Sequence, residues 1–126
     1  VLAFYLSPGH REERADGCPI VALGADAARQ SADVKASFET GIKTYLDELA
    51  RLVGETSGAV PRATAIAILS TMVGAMTLSR AVNNPELARS ILDAAADQVR
   101  AIAARDPSPS RRPRDHSRKP RRSRIN

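Results

Sequence analysis

The side chains able to do covalent or acid–base chemistry are few and scattered. Cys18 is the only thiol, and His10 and His116 are the only imidazoles. Pro19 places Cys18 at the start of a helix, because proline's fixed φ suits the first helical turn. A thiol there can be acidified by the helix dipole, which makes redox or electrophile sensing one reading of Cys18. The other reading, a small buried hydrophobe, is favoured because no cation is fixed beside it. One Cys and two His form no spaced metal-ligand set, so no metal is expected. The sequence has no Ser-His-Asp arrangement that geometry could endorse, no glycine-rich phosphate loop and no carboxylate pair isolated on an apolar face. Its acids fall on solvated helix faces or in the loop Arg11 to Arg14. No catalytic residue, no cofactor and no enzymatic activity are expected.

Composition bounds the scaffold. A chain of 126 residues with 43% hydrophobic side chains can bury one modest core. Aromatic residues are 3% and Trp is absent, which argues against a β-sandwich and against base-stacking nucleic-acid modules. Ala is abundant and period-two alternation is rare, so the expected class is all-α. A single Cys excludes an internal disulfide and fits a reducing compartment. No charged start, apolar run and small-residue cleavage site mark a signal peptide. The chain opens on Val inside apparent helix and is expected to be a fragment without its natural N-terminus. Charge is uneven: residues 107–126 carry a net +7 and the first 106 a net −2.

Five helical segments can be drawn. Val1 to Leu6 reads as a helix end, stopped at Ser7-Pro8-Gly9 because Pro8 lacks an N–H and Gly9 tolerates a left-handed turn. Pro19 to about Arg29 follows, with Ile20, Leu23 and Ala27 on one face. Ser31 can cap a third helix from Ala32 to about Glu55. Its stripe is Val34, Phe38, Ile42, Tyr45, Leu49, Leu52 and Val53. Glu39–Lys43 and Lys43–Asp47 stand four apart on the wet side, and Thr56-Ser57-Gly58 ends the helix. A fourth helix runs from Pro61 or Arg62 to about Val82. Asn84 as cap, Pro85 in the first turn and Glu86 near the positive dipole end open a fifth, reaching about Ala104. Its inward residues are expected to be Leu87, Ile91, Ala95, Val99 and Ile102. Residues 1–105 form the expected domain, and residues 106–126 a Pro/Ser/Arg tail that cannot bury enough apolar surface to fold.

The fourth segment has no charge over the seventeen residues from Ala63 to Ser79. That is short of the roughly 20 residues a membrane span needs, and its Ser and Thr suit lipid poorly, so no membrane partner is expected. A helix apolar nearly all round needs cover on more than one side. A domain this small has few other helices, and the expected cover is a second copy; the competing reading is a core helix of a monomer. Ala67, Ser70, Gly74 and Ala75 permit close approach, and Ala88, Asp93, Ala94 and Gln98 flank the stripe of the fifth helix. The expected dimer interface is Ser70, Val73, Gly74, Thr77, Leu87, Ile91, Ala94, Ala95 and Gln98.

Two segments, Tyr5-Leu6-Ser7-Pro8-Gly9-His10-Arg11 and Gly17-Cys18-Pro19-Ile20-Val21-Ala22-Leu23, resemble the effector-binding domain of TetR-family transcriptional regulators. There, Tyr-Leu-Ser-Pro-x-His-Arg and Gly-Cys-Pro-[Leu/Ile]-x-Ala-Leu segments join two helices beside the ligand pocket. The resemblance spans roughly residues 1–103. It implies a five-helix antiparallel bundle whose last two long helices pair with those of a second subunit into a four-helix bundle. It also implies a ligand pocket, for which Phe4, Tyr5, Cys18, Phe38, Ile42, Tyr45, Met72 and Met76 are the large or soft side chains available; taken singly, each could equally be plain core. Met adapts its shape and Tyr offers one hydroxyl in an apolar wall, which suits a mostly hydrophobic small molecule.

The function implied is that of a cytoplasmic repressor's ligand-binding and dimerisation half. Operator DNA would be read only by a helix-turn-helix upstream of Val1. A free-standing dimeric helical interaction protein without a ligand is the alternative, and a basic-tailed nucleic-acid binder a third class. The tail departs from the family pattern. It reads as a solvated extension, a translated scar of the gene fragment, or a sequence-blind phosphate contact.

Overall fold

The computed structural model describes residues 2–13 and 17–105, which are helical and contain no strand. Six helices follow in order: α1 (Leu2–Tyr5), α2 (Pro8–Glu12), α3 (Pro19–Ala27), α4 (Ala32–Ser57), α5 (Arg62–Ala81) and α6 (Pro85–Ala103). The all-α class is as expected. The tail and His116 lie outside the described residues.

Local chemistry sets the boundaries. Ser31 Oγ accepts from the Val34 amide, and Asn84 Oδ1 accepts from the amides of Glu86 and Leu87 at 2.8 and 3.1 Å. Pro19 and Pro85 each sit in a first turn. Gly58 ends α4 with φ +80°, the left-handed conformation that glycine adopts without Cβ strain. The sixth helix is the addition to the five expected. Ser7-Pro8 does stop α1, but it also starts α2: Ser7 Oγ accepts from the His10 amide at 3.2 Å, with Pro8 in the first turn. The same residues that break one helix cap the next.

The core lies where α5 meets α6 and the C-terminal half of α4. Ile68, Met76, Leu92 and Val99 are at most 2% exposed. Packing is most extensive between α5 and α6, then between α4 and α5, and α3 rests on both α4 and α5. Two expected stripes are corrected in part: Leu49 and Val53 on α4 and Ala95 and Val99 on α6 are buried as expected, but other members are not. On α6 the buried line is Ala88, Leu92, Ala95 and Val99, while Leu87 is 49% exposed. The apolar set is wide enough to be read one residue off, and contact with α5 selects the line that interdigitates.

On α4 the buried residues are Leu46, Leu49 and Val53. Tyr45 and Val34 are exposed, and no residue from Ala32 to Tyr45 is buried. Leu23 on α3 is exposed as well, whereas Ala27 is buried. Of the two wet-side pairs on α4, Glu39–Lys43 forms at 2.5 Å. Asp47 instead meets Arg62, joining the middle of α4 to the start of α5.

Candidate functional site

The two punctuated segments fold into a junction pinned on the C-terminal end of α5. His10 is buried, its Nδ1 2.8 Å from the Tyr5 carbonyl oxygen, with its ring against those of Tyr5 and Phe4. Arg11 Nε donates to the Ser79 carbonyl at 2.8 Å and a terminal nitrogen reaches Val82 O. In return, Arg80 donates to the carbonyls of His10, Arg11 and Glu13 at 2.8, 3.0 and 3.2 Å. The last carbonyls of a helix lack intrahelical partners and carry partial negative charge, so guanidinium donors suit them. Gly17 completes the lock. A Cβ there would lie 2.7 Å from Glu13 O and 3.2 Å from an Arg80 guanidinium nitrogen, so only glycine lets the chain pass this close.

Behind this lock stands a phenol. The Tyr5 hydroxyl is buried and, among the described residues, makes no hydrogen bond of good geometry, with the Cys18 thiol nearby. Burial foremost, then the neighbouring Cys18 thiol, holds its pKa well above the ordinary phenol range. Tyr45, also facing Cys18, is raised for the same reasons in the same order. Cys18 itself is 6% exposed and heads α3 without a side-chain cap bond, consistent with packing as a small apolar group.

The largely apolar depressions lie between α3, α4 and α5. One, of about 280 Å³, is lined by Ile20, Gly24, Ala27, Ala28, Lys35, Phe38, Glu39 and Ile42. The next, of about 380 Å³, is lined by Ile20, Ile42, Leu46, Ile66, Leu69, Ser70 and Val73. The two adjoin at Ile20 and Ile42, which line both, and the pair is called the trough. Of the expected pocket residues, Phe38 and Ile42 line it, Tyr45 stands exposed on the same helix, and Tyr5 and Cys18 belong to the junction. Met72 and Met76 are sealed in the core, and Phe4 is exposed. Ile20, Leu46, Ile66 and Leu69 were missed as lining residues. Leu46 and Leu69 are core residues that also floor the depression, while Ile20 is half-buried and Ile66 exposed at its edge.

Beside the trough α5 turns small residues outward. Gly74 has open space around it: an added Cβ would meet nothing within 4 Å. Thr77, Leu78 and Ala81 on α5, and Leu87, Ala94 and Gln98 on α6, are exposed. Of the residues expected at a dimer interface, Ser70 and Val73 line the trough, Thr77 borders a further depression with Val21, Ala22 and Arg80, Ile91 is half-buried, and Ala95 is in the core.

Among the described residues α5 is also the one helix with the length and apolar content of a membrane span, and 39% of its apolar window is buried. It exceeds the seventeen uncharged residues because Arg62 and Arg80 fall inside its two ends. Among the described residues no group of three or more His, Cys, Asp and Glu is placed to hold a metal ion. No family model, curated protein or solved structure matches this chain.

Proposed function

We propose that this chain is the ligand-binding and dimerisation domain of a TetR-like transcriptional repressor that senses a mostly hydrophobic small molecule. One observation carries the reading: only 39% of the apolar window of α5 is buried by its own chain, and its uncovered side has two adjoining parts. One is the trough, where Ile66, Leu69, Ser70 and Val73 face α3 and α4. The other is the small-residue flank around Gly74, continued by Leu87 and Ala94 on α6. An apolar trough suits a ligand, and a flank of small residues beside exposed apolar ones suits a helix of a second copy.

A ligand wedged between α3, α4 and α5 bears on the helix that would carry the dimer contact. It can bias subunit arrangement only by its differential affinity for two arrangements, which is the population-shift mechanism. Operator recognition would belong to a helix-turn-helix module outside this sequence.

The test is thermal denaturation of the chain against a panel of hydrophobic small molecules. A ligand that binds only the native state raises the melting temperature, by about 2.7 kcal/mol of stabilisation at a hundredfold excess over Kd. Ile42→Asn, which puts an amide into the trough, should abolish the shift. A panel with no stabilising compound, or a shift that Ile42→Asn leaves intact, contradicts the ligand reading.

A further inference from the structure

The depression between α3 and α4 has one wall that the core does not hold. Over residues 32–45, the first half of α4, no side chain is buried; Leu46 is the first that is, followed by Leu49 and Val53. Among the described residues the one ion pair that ties α4 to another helix, Asp47–Arg62, lies beyond that point. The first half has Glu39–Lys43 within itself, exposed on both sides and worth little. Three hydroxyls there, Ser37, Thr40 and Thr44, bond back to carbonyls four residues earlier at 3.2, 3.1 and 3.1 Å, a pattern that slightly weakens and bends a helix. Gly41 stands among them. Glycine in a helix interior is less favourable than alanine, and nothing lies within 4 Å of a Cβ built at Gly41, so no close approach requires it. At the helix start the Ser31 cap bond is long, 3.5 Å. A helical segment this short is marginal in water without packing to hold it.

We propose that residues 32–41 are a flap that unwinds and rewinds as one unit, breaking at Gly41, while α5 and α6 stay packed. The flap carries Lys35 and Phe38, part of one wall of the depression of about 280 Å³, whose other wall includes Ile20, Gly24 and Ala27 of α3. Opening removes the first wall and uncovers the second. The link from α3 to α4, residues 28–31, is short and α3 packs on α5, so the flap opens by unwinding and not by a swing of intact helix. This holds whether or not the depression takes a ligand.

The experiment is amide hydrogen exchange of the full chain, read residue by residue by NMR, for the unmutated chain, Gly41→Ala and Gly54→Ala. Unwinding residues 32–41 frees the carbonyls that accept from amides 36–45. Those amides should exchange as a block, about a hundredfold faster than amides 92–99 of α6, with a step in protection at Leu46. Gly41→Ala should slow the block about fivefold by favouring the wound form. Gly54→Ala lies in the anchored half and its Cβ also meets nothing within 4 Å. It should slow amides 92–99 about fivefold, through global stability, and leave the block unchanged. Protection that rises smoothly along α4 without a step overturns the flap in favour of fraying from the helix end. Equal slowing of both sets of amides by Gly54→Ala overturns it too, since α4 would then open only with the whole fold.

Discussion

The two long flanks of α5 have the same kind of sequence and opposite fates. Against α6 the helix is sealed: Ile68, Met76 and Ser79 show no exposure, and Leu92 and Val99 opposite them almost none. Against α4 the packing is less extensive: Leu46, Leu49 and Val53 are buried, α3 packs on both helices, and a depression lined by Ile42, Ile66 and Val73 lies between them. The cause lies in the partners. A three-residue link, Val82 to Asn84, returns α6 antiparallel along α5 with a small-large pattern, Ala88-Leu92-Ala95-Val99, that fills the contact. α4 has 26 residues to the 20 of α5, and the α1–α2 junction already occupies the C-terminal end of α5. The first half of α4 is therefore left without a facing helix of its own.

That contrast can be broken by core truncation. Leu92→Ala on the sealed side should lower stability by about 2–5 kcal/mol in a denaturant titration. Phe38→Ala on the open side should lose less, about 1–2 kcal/mol, since the side chain is only partly buried and its removal leaves no enclosed cavity. Similar losses at both sites would mean that the trough is filled core. A smaller effect belongs to the junction. Arg80→Met removes three charge-assisted bonds to the carbonyls of residues 10, 11 and 13, worth roughly 1.5–3 kcal/mol before relaxation. Amide exchange should accelerate across residues 7–13 while α6 stays protected. Uniform acceleration would show that the junction is a structural part of the core and no separate lock.

Capping comes next. Asn84→Ala should cost about 1 kcal/mol, because two first-turn amides of α6 lose their acceptor. Ser31→Ala should cost less, its bond being long at 3.5 Å and exposed.

The smallest effect tests the buried phenol. Tyr5 is raised in the folded chain, so between its unfolded and folded pKa the native state holds the extra proton. Stability is therefore independent of this group's titration below about pH 10, the unfolded value, and falls as pH rises above it. Tyr5→Phe should leave stability at pH 7 unchanged or slightly raised, since it removes a buried hydroxyl that makes no hydrogen bond of good geometry among the described residues. It should also flatten the loss above pH 10. A clear drop at pH 7 would mean that the hydroxyl has a partner.

Those predictions also mark what the sequence could and could not reveal. Helix ends were legible because their causes are local: Asn84 and its two amides, Ser31 and Val34, Gly58 at positive φ. The second role of Ser7, cap as well as stop, follows from the same chemistry and was overlooked. The phase of the α4 and α6 stripes was only partly legible. Tyr45 and Leu46, or Leu87 and Ala88, are adjacent, and only the facing helix chooses between them. The lock was beyond reach because Arg11 and Arg80 stand about seventy positions apart. Of the pocket, Phe38 and Ile42 were named on the family resemblance, and periodicity shows only that they share the apolar face of α4. Met72 and Met76 were misjudged, since a soft side chain serves a sealed core as well as a ligand wall.

The central claim is that the Gly74 flank of α5 is kept open for a second copy of this chain, and molar mass tests it directly. Light scattering coupled to size exclusion should give a dimer for the unmutated chain at micromolar concentration. Gly74→Glu has room in a single chain, because nothing lies within 4 Å of its Cβ. It should keep helical circular dichroism and thermal stability near those of an isolated subunit, yet give a monomer, because an unpaired carboxylate at a helix–helix contact costs several kcal/mol in order of magnitude. A clean monomer for the unmutated chain, or a dimer that persists in Gly74→Glu, would contradict the account.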